Sequence, residues 1–351
     1  MPFMIPPALA IPGVFVRLLL GLTPSVLVAQ SAPTLKQVGS FGCADCGGPA
    51  QFAEVADVAV TPNGTVWVAD RDDPRLRAFS PSGRAMKSFG RRGEGPGEFT
   101  GIAKIFPAAD GTIAVVDMRL FRLTRMDSAG RLLSTVSIKS FPFDAAAAPG
   151  SPAVHLLFSR FQPGTSFVRR SDPRVDSLMP VLGPLTDFPR AEAPAEVHSL
   201  AVAPDGSIAV GDGGTEYRIR IYHAGRWRDI VREIPRKLRT PAELREMLTR
   251  GLGNQHRARA EGGQATSALP REKPHFEWLG LRYDPLGRLW VKTGRGDESR
   301  TVFDVFSGEG GFMGEVVVPG RVTSISLNGN YLVTAGEDDN GIPRVTLWEV
   351  Q

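Results

Sequence analysis

Three glutamates occupy one position in a repeated pattern of the sequence. Glu54, Glu196 and Glu277 each lie ten residues before a glycine that closes a tight turn, at the start of an apolar strand. If the repeats surround a common axis, the three carboxylates rim one mouth of a central channel. Hard oxygen ligands favour calcium or magnesium over zinc. The pattern therefore suggests a site for a divalent cation, with calcium as the first candidate. The alternative interpretation is that the three glutamates are solvated residues on the rim.

The two cysteines of the chain, Cys43 and Cys46, lie three residues apart in the stretch FGCADCGG. Haem attachment would need a histidine at position 47, where the chain has glycine, and zinc would need two further ligands nearby. A thioredoxin-type site would need a helix start in a βαβ unit, whereas this is a linker between strands. A small structural disulfide in an exported protein is favoured; two reduced thiols are the alternative.

A basic segment at 235–274 departs from the strand pattern. It holds nine Lys and Arg against four Glu, so its net charge of +5 exceeds that of the whole chain, +4. Thr240, Pro241 and Glu243 form a helix start, with an N-cap, a first-position proline and a capping-box glutamate. The segment is interpreted as a surface helix on the rim, or as a docking element for an anionic partner or membrane surface. The docking candidates are Arg236, Lys237, Arg245 and Arg250.

Signatures of familiar catalytic sites are missing from the sequence. It has no Gly-x-Ser-x-Gly, no His-Glu-x-x-His and no phosphate-binding glycine loop. Its five histidines are scattered without metal-ligand spacing. Asp70, Asp117 and Asp212 end the second strands of three repeats. A structural role is favoured over chemistry: they accept hydrogen bonds from turn amides or pair with the arginine of the next strand.

Short apolar strands and tight turns position these residues. Between Phe52 and Phe99 four short runs alternate with turn signals, which predicts a four-stranded antiparallel meander. The turn recurs with an apolar strand after it, and the marker glycines Gly64 and Gly111 lie 47 residues apart. That period is typical of propeller blades. The marker turns are Asn63-Gly64, Asp110-Gly111, Asp205-Gly206, Leu286-Gly287 and Asn328-Gly329.

The spacing predicts an all-β, six-bladed propeller of four-stranded antiparallel blades over 31–351, with one short helical insertion at 235–274. A degenerate third blade uses Pro149-Gly150 as its turn. The last repeat has three strands, and residues 35–41 supply the fourth, so the two chain ends close the ring. The predicted blades are 52–90, 99–139, 144–182, 196–234, 276–318, and 321–350 with 35–41.

The stretch Phe89-Gly90, Gly93, Gly95-Pro96-Gly97 and Phe99, followed by an inner strand, resembles the NHL-repeat family of six-bladed propellers. The resemblance is best over 41–99 and weakest over 140–190. It implies the fold, but not the function, because propellers of this kind include binding proteins, lactonases and amidating lyases. The Glu-Gly-Pro signature of the lactonases is absent, since this chain has Glu54-Val55-Ala56.

Residues 1–30 carry one charge, Arg17, and an apolar run that is short for a membrane span and ends in small residues. They are interpreted as a signal peptide, with an uncleaved anchor as the alternative. This predicts a periplasmic or secreted protein. Its mature charge near +3, after loss of Arg17, does not suggest nucleic acid.

Two functional classes remain open. The first is an exported, non-catalytic binding or scaffold propeller that presents its faces to a protein or small ligand. The second is a metal-dependent propeller enzyme, lactonase-like or amidating-lyase-like, with its site at the central channel. We favour the binding propeller; no cofactor is assigned beyond the calcium candidate.

Overall fold

The computed structural model describes residues 31–140, 142–158, 167–172, 178–182, 199–211, 216–249 and 271–351. The chain divides into a first unit, Met1–Gln30, and a second, Ser31–Gln351. All described residues belong to the second unit. The predicted signal peptide lies outside them.

The described strands form six four-stranded antiparallel sheets, and in five of them the strands follow chain order. Blade 1 holds β2 (Val55–Val60), β3 (Val66–Asp70), β4 (Leu76–Phe79) and β5 (Ala85–Phe89). Blade 2 holds β6 (Ile102–Pro107), β7 (Ile113–Asp117), β8 (Arg122–Met126) and β9 (Leu132–Ser137). Blade 3 holds β10 (Asp144–Ala146), β11 (Val154–Phe158), β12 (Phe167–Ser171) and β13 (Leu178–Leu182).

Blade 4 holds β14 (Ser199–Val202), β15 (Ile208–Gly211), β16 (Tyr217–His223) and β17 (Arg226–Arg232). Blade 5 holds β18 (Phe276–Tyr283), β19 (Leu289–Thr293), β20 (Arg300–Phe306) and β21 (Phe312–Pro319). Blade 6 holds β22 (Val322–Asn328), β23 (Tyr331–Glu337) and β24 (Pro343–Val350), with β1 (Leu35–Phe41) as its outer strand.

The first strands of the blades face the axis of the molecule. β2 contacts β6 on one side and β22 on the other, and β14 contacts β10 and β18 in the same way. Apolar clusters fill the seams between adjacent sheets; Val68 and Val333, for example, share the seam between blades 1 and 6. The six clusters together join every blade to its two neighbours. Each sheet therefore buries its two faces only by stacking on its neighbours.

The two chain ends close the ring. β1 pairs antiparallel with β24, from Leu35 opposite Val350 to Phe41 opposite Val345. The pairing extends one step further, where the amides of Thr34 and Gln351 donate to each other's carbonyls at 3.1 and 2.9 Å. Without β1, the edge of β24 would expose unpaired backbone groups. The predicted fold, including its closure and its one short helix, is confirmed.

The turn glycines that mark the repeat have a conformational reason to be glycine. Gly64 and Gly111 have φ angles of 79° and 82°, in the left-handed region that residues with a Cβ rarely adopt. In the first turn the amide of Gly64 donates to the carbonyl of Thr61 at 2.9 Å. This requirement explains why a glycine recurs at the same place in the repeat.

Two aspartates hold the blade corners as the sequence suggested. Asp70, 1% exposed, accepts hydrogen bonds from the amides of Ala53, Asp72 and Asp73. Asp117 is fully buried and accepts from four amides in the same way, those of Thr100, Gly101, Arg119 and Leu120. The structural interpretation is confirmed for these two; Asp212 lies outside the described residues.

His155 on β11 gives blade 3 a pH-dependent stability. Its side chain is buried, and its Nδ1 has no hydrogen-bond partner in the described part of the chain. Burial, and secondarily Arg170, lower the pKa of His155 from 6.5 to about 4. Because the pKa is depressed on folding, the unfolded chain binds the proton more readily, and stability is lost as the pH falls from 6.5 towards 4.

We expect unfolding at pH 5 to require about 2 kcal/mol less free energy than at pH 7.5 on account of this one group. Urea titrations at the two pH values measure the difference. The control is His155→Leu, which removes the titrating ring but keeps a side chain of similar size. In this variant the free energy of unfolding should differ less between the two pH values, by that amount. An unchanged difference would contradict the assignment to His155.

Candidate functional site in the central channel

Four charged side chains from four inner strands lie in the central channel. Asp57 (β2), Lys104 (β6) and Asp144 (β10) are 3%, 6% and 1% exposed. Arg282 (β18) is half-buried. Two acids and two bases are therefore held where the other inner-strand side chains are mostly apolar, and charges in such a place persist only when paired or hydrogen-bonded.

Asp57 is the most fully satisfied member of this channel cluster. Its carboxylate accepts the Ser324 hydroxyl at 2.6 Å and the Ile105 amide at 2.9 Å, and it lies 3.5 Å from the Nζ of Lys104. These partners come from blades 6 and 2, on either side of blade 1. Asp57 thus ties three consecutive inner strands together.

The pKa values of Asp144 and Lys104 are both shifted from the usual values of these groups. Asp144 accepts the amides of Ala145 and Leu200, each at 2.8 Å. Burial raises the pKa of Asp144, while the positive charges of Arg282 and Lys104 oppose the rise. Burial lowers the pKa of Lys104, which Arg282 reinforces and the two aspartates oppose. Opposed shifts of this kind in one cluster are typical of functional sites, although structural networks show them too.

A cavity of about 60 Å³ lies beside this cluster. Its lining runs from Asp57, Lys104 and Arg282 to the turns that end the inner strands, including Pro149 and Asn328. Between them the wall is mostly apolar, with Val58, Ile105, Ala201, Val202 and Leu327 among its residues. The cavity is thus mostly apolar with a few charged groups in its wall, and it can hold only a small ligand.

The glutamates singled out from the sequence are engaged by cations in their own blades. Glu54 lies 3.3 Å from Arg71, which follows β3, and Glu277 lies 2.7 Å from the Nζ of Lys292 on β19. Glu196 is outside the described residues. Within the described ranges no group of three or more His, Cys, Asp or Glu could hold a metal ion. The calcium site at Glu54, Glu196 and Glu277 therefore stays a prediction.

The basic insertion is anchored to blade 5 at its neck. Leu238 pairs antiparallel with Glu272, and Arg236 lies 3.0 Å from the Glu272 carboxylate. Lys237 donates to the carbonyl of Arg295 at 3.2 Å. Two docking candidates, Arg236 and Lys237, therefore contribute to this attachment. Arg245 is exposed on the helix, and Arg250 lies outside the described residues; docking stays a prediction.

The helix of the insertion, α1 (Pro241–Thr249), begins as predicted. The Thr240 hydroxyl accepts the Glu243 amide at 3.2 Å, and the Glu243 carboxylate accepts the Thr240 amide at 2.8 Å. This is the reciprocal capping box. Lys273, buried in the neck, pairs with Glu243 and donates to the Gly296 carbonyl at 2.8 Å. The helix is thereby tied to the blade through one buried lysine.

Deleting residues 240–270 is expected to leave a folded propeller. The amide of Arg239 donates to the carbonyl of Arg271 at 2.7 Å, so a two-residue Asn-Gly turn can join them. The free energy of unfolding should fall by no more than about 3 kcal/mol, the effect of losing the charged hydrogen bond from Lys273 to Glu243. Circular dichroism should show less helix and unchanged strand signal. Loss of cooperative unfolding in urea would instead place the segment in the core.

Cys43 and Cys46 are joined as a disulfide in the structure, in the linker between β1 and β2. The pair is expected to be oxidised in an exported protein. Because the closed loop is so short, loss of the disulfide should lower the free energy of unfolding by an amount at the small end of the roughly 0–5 kcal/mol range. Mass spectrometry of alkylated, unreduced protein should show no modified thiol, with the reduced protein as control. Two alkylated cysteines per chain would contradict the pairing.

The channel cluster was not identified from the sequence, although one signal for it is present. Asp57 and Lys104 each lie seven residues before a marker glycine, and each is the single charge in an otherwise apolar inner strand. Asp144 and Arg282 lie six and five residues before their turn glycines. A search for charges in apolar inner strands would have found the first two, but not the shared register of all four.

Comparison with known proteins supports the fold. No family model matches the chain, and no curated protein does. A DUF4221-family protein from Bacteroides vulgatus superposes with a TM-score of 0.60 at 11% identity, over 92% of this chain and 99% of that one. A predicted exported protein from Bacteroides fragilis gives 0.54 at 10% identity, over 92% and 96%. At such identities the likeness shows the fold alone.

An enzyme is also among the similar structures. The PQQ-bound aldose sugar dehydrogenase from Streptomyces coelicolor superposes with a TM-score of 0.50 at 14% identity, over 92% of this chain and 99% of that one. At this identity the likeness again concerns the fold and not the activity. The similar structures establish the architecture, and the activity has to be argued from the site.

Among the described residues, no helix is both long enough and apolar enough to cross a membrane.

Proposed function

We propose that the mature chain is an exported, non-catalytic binding propeller that takes a small ligand into its central channel. The observation that supports this most directly is the cavity beside Lys104 and Arg282. It is enclosed mainly by apolar side chains and backbone, with a few charged groups at its inner end. A mostly apolar pocket with a few convergent polar groups is the usual form of a ligand site.

The arrangement of the channel carboxylates favours binding over proton transfer. Asp57 and Asp144 are each fixed by two donors supplied by the backbone or by serine. A general base needs an acceptor that reaches the substrate. Here the oxygens face inward to the strands that they hold together, which rigidifies the walls of the site.

Export is proposed on two grounds. Residues 1–30 have the composition of a signal peptide, and the disulfide between Cys43 and Cys46 suits an oxidising compartment. Membership of the NHL-repeat family is likewise proposed rather than shown. It rests on the pattern of glycines and phenylalanines that begins at the end of β5.

The metal-dependent enzyme is the second candidate from the sequence. It would need Glu54 and Glu277 to leave Arg71 and Lys292 and to meet Glu196 at a cation. Nothing in the described residues favours that arrangement over the ion pairs that exist. The binding propeller is therefore the function that we put forward.

A thermal-shift panel tests the proposal on the mature protein. The panel contains small carboxylates, neutral polyols, amines and calcium chloride, all at one ionic strength. We expect at least one organic ligand to raise the melting temperature, because a ligand that binds only the native state stabilises it. Calcium chloride alone raising it, together with hydrolysis of a lactone, would overturn the proposal in favour of the enzyme.

A further inference from the structure

We propose that the channel cavity is a binding site for a small carboxylate anion, held between Lys104 and Arg282. This inference rests on the proposed function and specifies its ligand. It follows from the number of unmatched donors at the site, from the volume of the cavity, and from the placement of its two cations.

The two cations have more hydrogen-bond donors than the protein satisfies. Lys104 carries three N–H donors. Its direct ion pair is with Asp57, at 3.5 Å, while Asp144 acts on its charge from further away. Arg282 carries five, of which Nη1 donates to the carbonyl of Leu281 at 2.7 Å. Its guanidinium makes no ion pair within the described ranges. The site therefore lacks acceptors, and an anion would supply them.

The acids of the channel do not meet this need. Asp57 is committed to Ser324 and Ile105, and Asp144 to Ala145 and Leu200. Both carboxylates are thus held on their own sides of the channel by strand amides and a serine. Lys104 and Arg282 both line the cavity, where a ligand could accept hydrogen bonds from their remaining donors.

The volume limits the ligand to a few atoms. A water needs roughly 10–15 Å³ by the same measure, so a cavity of about 60 Å³ accommodates about four to six small atoms. Formate, acetate and bicarbonate are of this size, whereas sugars and all but the smallest amino acids are larger. The apolar wall, with Val58, Ile105 and Val202, suits a methyl group better than a second charge.

The placement of the cations suits a carboxylate in particular. Lys104 belongs to blade 2 and Arg282 to blade 5, which lie opposite each other in a ring of six. A ligand on the axis can therefore meet both. A guanidinium binds a carboxylate through two parallel hydrogen bonds, while an ammonium acts as a point charge. The geometry points to a monocarboxylate that accepts hydrogen bonds from Arg282 and is neutralised by the charge of Lys104.

Calorimetry with sodium formate and sodium acetate, at ionic strength held constant with chloride, tests the inference on the mature protein. We expect saturable binding of both, and weaker binding of pentanoate and hexanoate as the chain outgrows the cavity. Arg282→Gln should weaken acetate binding by about 10- to 100-fold, the effect of losing hydrogen bonds to a charged partner. Because Arg282 also supplies a positive charge that acts on buried Asp144, the melting temperature of this variant is measured beside its affinity for acetate.

The matched control is Arg84→Gln, an exposed arginine on blade 1 that is remote from the cavity lining. It should leave acetate affinity unchanged. Lys104→Gln is the second variant. Once cooperative unfolding has shown that it is folded, it should also bind acetate more weakly than the parent protein.

The possible results separate this inference from the proposed function. Acetate binding that survives Arg282→Gln unchanged would overturn the carboxylate site. Binding of a neutral polyol or an amine, with no binding of formate or acetate, would also overturn it but leave the binding propeller standing. No binding by any member of the panel would overturn both.

Discussion

Asp57→Ala is expected to lower the free energy of unfolding by about 3–5 kcal/mol, the cost of breaking a buried ion pair by removing one partner. The substitution leaves Lys104, 6% exposed, without its nearest carboxylate. It also removes the acceptor of the Ile105 amide and of the Ser324 hydroxyl. Since those groups belong to the inner strands on either side, three blades lose a shared attachment at once.

A double-mutant cycle in urea measures how much of this cost is the uncompensated charge. Lys104→Met alone should also destabilise strongly, whereas the Asp57→Ala, Lys104→Met pair should cost less than the sum of the two single changes. The control is Glu54→Gln, whose partner Arg71 is 55% exposed and whose loss should cost about 1 kcal/mol or less. Additive effects at Asp57 and Lys104 would contradict a coupled channel cluster.

Phe41→Ala is expected to cost about 3–5 kcal/mol, the usual range for a phenylalanine truncated in a core. Phe41 ends β1, the strand that closes the ring, and is 8% exposed. Its ring centroid lies 4.6 Å from that of Phe79 and 6.4 Å from that of Phe52. The truncation therefore opens a cavity in the seam between blades 6 and 1, at the point where the chain ends are joined.

Val38→Ala on the same strand is the matched control, because Val38 is 42% exposed. Its effect on the free energy of unfolding should stay within about 0.5 kcal/mol. Urea titration of the two variants measures both values. If Phe41→Ala were as mild as Val38→Ala, closure by β1 would contribute little to the stability of the ring.

The architecture could be predicted because its signals are local. Each turn needs a residue that tolerates a positive φ, so glycines such as Gly64 and Gly111 repeat at blade spacing. The ring closure was predictable for a similar reason, since the last repeat lacks one strand and residues 35–41 have the pattern of the missing one. Even the helix start at Thr240 follows from three neighbouring residues.

The channel cluster could not be predicted in the same way, because it depends on which blades face each other and on irregularities in the strands. Arg282 lies beyond a break in the pairing of β18 with β19, between Phe276 and Leu281. Asp144 opens an inner strand of only three residues in the degenerate blade. Repeat spacing cannot fix the direction of a side chain at such places. The sequence analysis also missed the cations, Arg71 and Lys292, that pair with Glu54 and Glu277.

A crystal structure of the mature protein grown or soaked in acetate tests the central claim most directly. The account predicts planar electron density for a four-atom anion in the channel, with its carboxylate between the Nζ of Lys104 and the guanidinium of Arg282. A parallel crystal in chloride should lack that feature. A channel that holds only waters in acetate, with Arg282 turned away from the cavity, would contradict the claim.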